Sequence, residues 1–260
     1  MKIKCVSALF DISRETLGDG RTMEQYLTWF EKTLKLNCDF VVFTEEKYHS
    51  FVQGVRLKSA YSTDIIIQKL ESLPKYELLG QMSDIMKSEQ YSQKMKDTAR
   101  IECYLPEYNI IQYSKFDWLY DSHEKYKEGD YFFWVDAGCS RFFDDHVLSR
   151  GWPDISKINA EKITIQCNEN FIRMFDGMRP EDYIWDNNCM LVGTMFGVPA
   201  RLLQGVKDEI NSILAEMLKH QCVNNEQIAL AILAKKDMSH FDMKFFHTGG
   251  HLPLINYLAA

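Results

Sequence analysis

The residues best suited to chemistry lie at one end of a short apolar run. Residues 131–135, Tyr-Phe-Phe-Trp-Val, follow Gly129 and Asp130 and stop abruptly on Asp136, Ala137 and Gly138. The run is too short for a helix, and its aromatic content predicts a strand buried on both faces. An acid at the carboxyl end of such a strand stands at the rim of the sheet, where open α/β folds bind ligands. There Asp136 can hold a metal ion and, through it, a phosphate. The same residue can also serve as a helix cap or turn residue. Ala137 and Gly138 keep the rim uncrowded and let backbone approach a ligand. Asp144, Asp145 and His146 are also metal-ligating types, but adjacent positions need a turn to converge, so they rank below Asp136.

The surrounding elements must bring this rim together with other polar groups. A first strand is expected over 5–10, ending at Asp11, and the polar loop 11–21 with Gly18 and Gly20 follows it. A loop after the first strand of an α/β fold is a common place for a nucleotide. Thr22, with Gln25 three residues on, predicts a capped helix start, and Met23, Tyr26, Leu27, Phe30 and Leu34 form its inward stripe, ending near Asn37. With a strand over 39–44 this makes a right-handed βαβ unit. Beyond it the pattern predicts a helix over 64–73 broken by Pro74, polar helices over 76–100, and a short strand over 109–113. A helix over 114–126 then delivers the chain to the central strand. Residues 162–167 alternate as an edge strand, and 190–192 form another short strand. Helices are expected over 206–220 and, capped by Asn224 and Gln227, onward to Lys236. A last strand at 241–246 precedes a turn at 247–251.

The chain has 260 residues, enough for one domain or one domain with a small appendage. A formal charge of −7 argues against a nucleic-acid footprint spread over the surface and leaves room for a local basic pocket. None of the seven cysteines forms a Cys-x-x-Cys pair, so neither a zinc ribbon nor a thioredoxin-type site is indicated. Their odd number, with no secretion signal ahead of them, reads as reduced thiols of a cytosolic protein. No apolar run reaches membrane length, which leaves attachment to a membrane surface open. The phosphate loop, the dinucleotide-binding glycine motif and the Gly-x-Ser-x-Gly elbow are all missing, which weakens ATPase, dehydrogenase and serine-hydrolase readings.

Several short motifs occur in a telling order. They are the first strand with Asp11 and the Ser13-Arg14 pair, the strand over 37–44, the stretch Tyr113-Ser114-Lys115-Phe116, and above all Phe133 to Gly138. Together they resemble the bacterial HtrL/YibB family, associated with lipopolysaccharide-core genes and related in pattern to glycosyltransferases of the GT-A fold. The resemblance implies a single α/β domain over 1–260, GT-A-like (Rossmann-like), with a mixed central sheet flanked by helices and a helical insert at about 60–105. It implies a cytoplasmic glycosyltransferase, at the inner face of the membrane, that uses a nucleotide-sugar donor, UDP-linked, with Mn²⁺ or Mg²⁺. The acceptor would be a glycan, in lipopolysaccharide or other cell-surface glycan synthesis, with no nucleic-acid partner and no transmembrane segment. Residue by residue, Asp136 matches the acid of the metal-binding Asp-x-Asp motif, and His247, with His251 in reserve, matches a late histidine that completes the metal shell. Lys115 matches a position that touches the nucleotide, and Asp11 and Arg14 fall where base and ribose are held. Asp186 and Glu226 are the acids expected on the acceptor side. The chain departs from the motif at its second acid, which is absent after Asp136, and so leaves metal dependence open.

The chemistry would run as follows. A departing nucleoside diphosphate develops negative charge, which a metal held by Asp136 and His247 would stabilise, with Lys115, Arg141 or Arg14 as cationic clamps. If the anomeric centre is inverted, Asp186 or Glu226 would serve as general base. Each residue also has an ordinary structural role open to it. Lys115 can be a solvated helix residue and His247 a turn cap. Glu226 can favour a helix dipole, and Asp186 can stabilise a turn. Two other functions compete: a metal-dependent phosphohydrolase of a sugar phosphate or nucleotide, using Asp136, Asp144 and His247, and a non-catalytic glycan- or nucleotide-binding module.

Overall fold

The aromatic run 131–135 does form a strand with both faces covered, and the sheet is assembled around it. The computed structural model describes residues 1–144, 146–168, 175–246 and 252–259. The strands are β1 (Ile3–Leu9), β2 (Phe40–Thr44), β3 (Thr63–Ile67), β4 (Tyr131–Val135), β5 (Ile163–Cys167), β6 (Leu191–Pro199) and β7 (Phe241–Phe245). They lie in the order β3-β2-β1-β4-β6-β5-β7. From β3 to β4 the pairs are parallel, β6 runs antiparallel to both neighbours, and β7 is parallel to β5. The result is a single α/β domain with a mixed central sheet flanked by helices.

Period-two alternation divides the core. Val6, Ala8, Phe132 and Trp134 point to one face, and Cys5, Leu9, Tyr131, Phe133 and Val135 to the other. The helices are α1 (Met23–Thr33), α2 (His49–Arg56), α3 (Leu79–Met86), α4 (Glu89–Lys94), α5 (Pro106–Lys125), α6 (Leu203–Lys219) and α7 (Glu226–Lys236), with several shorter turns between them. Side chains of α3 to α7 fill the first face, and those of α1 and α2 the second. The Thr22–Gln25 capping box starts α1 as expected. On the first face Phe10 and Phe43 stack on Trp118, which stacks in turn on Trp134 at 5.8 Å.

Four expectations need correction. Residues 64–73 are not a helix: Ile65, Ile66 and Ile67 belong to edge strand β3, where β-branched residues are at home. The stretch at about 60–105 therefore gives a strand to the sheet before turning helical. Residues 109–113 are not a strand but part of α5, a 20-residue helix buried almost all round, which hides the one-sided stripe that would have marked it. The expected edge strand at 162–167 is β5 (Ile163–Cys167), an inner strand between β6 and β7 with every residue buried. The short strand at 190–192 is the start of the nine-residue β6. The turn expected at 247–251 lies outside the described residues.

Close packing of β4 on β6 depends on Gly197. It pairs with Phe133, and a Cβ there would lie 2.3 Å from Tyr131 Cε1 and 2.7 Å from Phe133 Cε1. The Tyr131 ring has little freedom to retreat: its hydroxyl donates to Lys162 O (2.8 Å) and accepts from the Thr164 N–H (3.0 Å). Gly197→Ala is therefore expected to cost about 1–3 kcal/mol by overpacking. Urea denaturation should show a lowered midpoint with an unchanged slope; an unchanged midpoint would mean that the ridge is softer than these contacts indicate.

Candidate functional site

Asp136 sits where the parallel part of the sheet changes direction of winding. The connection leaving β1 leads to β2 on one side, while β4 lies against β1 on the other, so a crevice opens at their carboxyl ends. Asp136 is held from several sides. Its N–H donates to Thr194 O on β6 (2.9 Å). The turn that follows it is clamped by α1: Thr33 Oγ1 donates to Ala137 O (3.0 Å), and Ser140 Oγ donates to Trp29 O (2.7 Å). Within β4, Trp134 Nε1–H donates to Asp136 Oδ1 (2.5 Å).

The same carboxylate oxygen faces an ammonium group. Lys115, in the middle of α5, is 1% exposed, and its Nζ lies 3.0 Å from Asp136 Oδ1, 2.7 Å from Glu226 Oε1 and 3.1 Å from Gly193 O. All three donors of the ammonium are used. The Trp134 ring lies 5.4 Å below it, a cation–π contact. Burial pushes the Lys115 ammonium down, but Asp136 and Glu226 outweigh it and hold it above its ordinary range. Glu226 is pushed up by burial, with Lys115 opposing. Its Oε2 is buried without a hydrogen-bond donor among the described residues.

Three consecutive residues at the start of α7 assemble this cluster. Asn225 caps the helix by accepting from the Gln227 N–H, and its Nδ2 donates to Glu102 Oε1 (2.9 Å). Glu226 turns to Lys115, and Gln227 Oε1 accepts from the Gly193 N–H (3.1 Å). Gly193 is required by the approach: a Cβ there would lie 2.2 Å from Glu226 Oε1.

Above this floor lies a cavity of about 710 Å³. Phe10, Trp134, Asp136 and Thr194 line its base, Tyr26 and Tyr108 one wall, and four arginines, Arg14, Arg21, Arg100 and Arg141, surround it. Arg14 is engaged through each of its nitrogens: it pairs with both oxygens of Asp19 (3.0 and 2.6 Å), donates to the Tyr26 hydroxyl and stacks on Tyr26 and Tyr108. Burial would lower its pKa, but Asp19 and the two tyrosines raise it overall. Arg100 pairs with Glu102 (2.8 Å) and donates to Asn187 O. Arg141 donates through Nε to Gly138 O (3.0 Å) and lies over Trp29 and Phe142.

Of the residues expected from the sequence, Arg14, Asp136 and Arg141 line the cavity, and Lys115 and Glu226 form the cluster beneath Asp136. Asp11 lies beside the cavity but turns to Lys47 (3.2 Å) and the Ser13 N–H. Asp186 is not brought in: it pairs with Lys96 (2.6 Å) and accepts from the Asn188 N–H. His247 and His251 lie outside the described residues, as does Asp145. Sequence reading missed Arg21, Arg100, Glu102 and Tyr108, which come from loops and helix starts with no motif around them. The cap of α7 was expected at Asn224 with Gln227, and the N-cap is its neighbour Asn225.

A divalent ion was expected at Asp136. Among the described residues no group of three or more His, Cys, Asp or Glu side chains could hold one. Asp136 Oδ1 already accepts from Lys115 and Trp134, so the described donor set amounts to one carboxylate oxygen, Oδ2. The second ligand expected for the ion, His247, lies outside the described residues. No helix among them is long and apolar enough to cross a membrane.

Comparison with solved structures finds mouse xyloside xylosyltransferase 1, apo form, at 8% identity and a TM-score of 0.47, covering 94% of this chain and 85% of that one. It also finds a cytidylyltransferase from Leptospira borgpetersenii serovar Hardjo-bovis (strain JB197), at 10% identity and a TM-score of 0.41, covering 96% and 77%. No curated protein matches the sequence significantly. The model of the family described as "Bacterial protein of unknown function (HtrL_YibB)" matches residues 1–246, and the chain belongs to that family.

Proposed function

We propose that the cavity binds a nucleotide-sugar and that the protein transfers its sugar to a glycan acceptor, in lipopolysaccharide or another cell-surface glycan. The observation that supports this most is the composition of the crevice at the carboxyl ends of β1 and β4. There a carboxylate with one free oxygen, two tyrosine rings and four guanidinium groups face one space of about 710 Å³. That volume suits a nucleotide conjugate. Asp136 Oδ2 is placed to accept a hydrogen bond from a sugar hydroxyl, Tyr26 and Tyr108 offer ring faces, and positive charge stands ready for a departing diphosphate. Glu226 is 1% exposed, so it acts on Lys115 rather than on an acceptor. Lys115 in turn holds Asp136 in place.

Calorimetry with UDP, GDP and CDP and their sugar conjugates tests the donor, and release of the nucleoside diphosphate in the presence of glycan acceptors tests transfer. One nucleotide class should bind, and Asp136→Ala should lower transfer at least about 100-fold with the far-UV circular dichroism unchanged. Full transfer by that variant would remove Asp136 from the mechanism. Tight binding with no product from any acceptor would favour a binding module.

The buried cluster predicts a separate stability result. Lys115→Met leaves two carboxylates facing each other without their cation and should cost about 3–5 kcal/mol. Adding Glu226→Gln removes one of those charges and should recover part of the loss, while transfer stays low because Asp136 still lacks its ammonium. If the double variant is no more stable than the single one, the Lys115–Glu226 contact is not what balances the core.

A further inference from the structure

The four guanidinium groups around the cavity are not equivalent. The charge of Arg14 is paired with Asp19 and that of Arg100 with Glu102, and each makes a further hydrogen bond, to the Tyr26 hydroxyl and to Asn187 O. Arg141 is different: only its Nε is used, on Gly138 O, and no carboxylate among the described residues lies within salt-bridge distance of its guanidinium. Two rings hold the plane of the group, Trp29 at 4.6 Å and Phe142 at 4.8 Å. Its Nη edge is therefore oriented and has no partner among the described residues. Arg21 is its neighbour in charge. Its contact with Asp19 Oδ2 is 3.3 Å, on an oxygen that Arg14 already holds at 2.6 Å.

Two further observations point the same way. The cavity lining carries four guanidinium groups against the carboxylates of Asp19, Glu102 and Asp136, a net positive charge on a chain whose formal charge is −7. Gly138, two residues after Asp136, leaves its side-chain space to Arg141: a Cβ there would lie 3.3 Å from both Nε and Nη2. A cation thus occupies the space into which a second acid at that position would project. Asp136 itself already faces the ammonium of Lys115.

We infer that Arg141 and Arg21 form the anion subsite of the cavity and hold the diphosphate of its ligand without a divalent ion bridging it to Asp136. This rests on the nucleotide-sugar reading for the nucleoside part alone. The fork of Arg141 offers two N–H groups to phosphate oxygens, and Arg21 closes on the second phosphate.

The test is calorimetry with inorganic pyrophosphate and with UDP, GDP and CDP, each in EDTA and in Mn²⁺, on the intact chain and on Arg141→Met, Arg141→Lys and Arg21→Met. The expected result is diphosphate binding in EDTA, weakened about 10- to 100-fold by Arg141→Met, the loss of charge-assisted hydrogen bonds. Arg21→Met should weaken it less, and Arg141→Lys should retain part of it. Lys219→Met, an exposed site on α6 away from the cavity, should change nothing. Binding that appears only with Mn²⁺, or that is indifferent to Arg141→Met, would overturn the inference. Pyrophosphate binding that depends on Arg141 while no nucleotide binds would support the subsite and sink the nucleotide-sugar reading. No binding of pyrophosphate or any nucleotide, in EDTA or Mn²⁺, would overturn both.

Discussion

A single ammonium group buried between two carboxylates governs the arrangement of this molecule. Removing Lys115 from water costs several kcal/mol, and only close, complete pairing offsets that. The pairing partners come from three separate places: Asp136 at the end of β4, Gly193 in β6 and Glu226 at the start of α7. Helix α5, which carries Lys115, is thereby tied to the two central strands and to the helix that packs on them. Little else could satisfy the group, because the surrounding core is aromatic and aliphatic. The positions of Asp136 and of the first turn of α7 therefore follow from where the lysine can be neutralised.

The same logic organises the cavity above it. Charges there are grouped into sets that close on themselves. Arg14 is satisfied by Asp19 and two tyrosines, Arg100 by Glu102, and Glu102 also by Asn225. Groups locked in this way shape the walls but have little left to give a ligand. Among the described residues, the Nη edge of Arg141, the weakly held Arg21 and one oxygen of Asp136 remain available. A lining with many charges thus leaves few donors and acceptors free among the described residues, the condition under which a polar pocket becomes selective.

Much of the frame was legible from local pattern. The capping box at Thr22, the aromatic strand ending on Asp136 and the helix starting near Asn225 all follow from spacing and residue type, and each is found. Two of the failures share a cause. Where an element is buried on all sides, its sequence loses the contrast between faces on which periodicity depends. Helix α5 was divided into a strand and a helix for this reason, and β5 was placed at an edge although it lies inside the sheet. The site was legible only in part because its other half is made of long-range pairs. Nothing near Lys115 in the sequence reports that Glu226 and Gly193 will meet it, and Arg100 and Glu102 come from a turn with no motif of its own.

The absence of a second acid after Asp136 takes on a different meaning in this setting. Two carboxylates at a strand end create a demand for a cation from outside. Here that demand is met from inside, by Lys115, and the place of the second acid is left to a guanidinium group through Gly138. On the proposed anion subsite, the rim presents the fixed positive charge of Arg141 and Arg21 to the cavity. Fixed charge of this kind is oriented before a ligand arrives, so binding an anion entails little reorganisation. The cost is borne in folding, where a buried lysine and a buried glutamate, one of whose oxygens has no partner among the described residues, must be carried through the core. A core selected for stability alone would replace that pair with apolar side chains of similar volume. Its presence in direct contact with the cavity-lining Asp136 links the cost in the core to the chemistry at the rim.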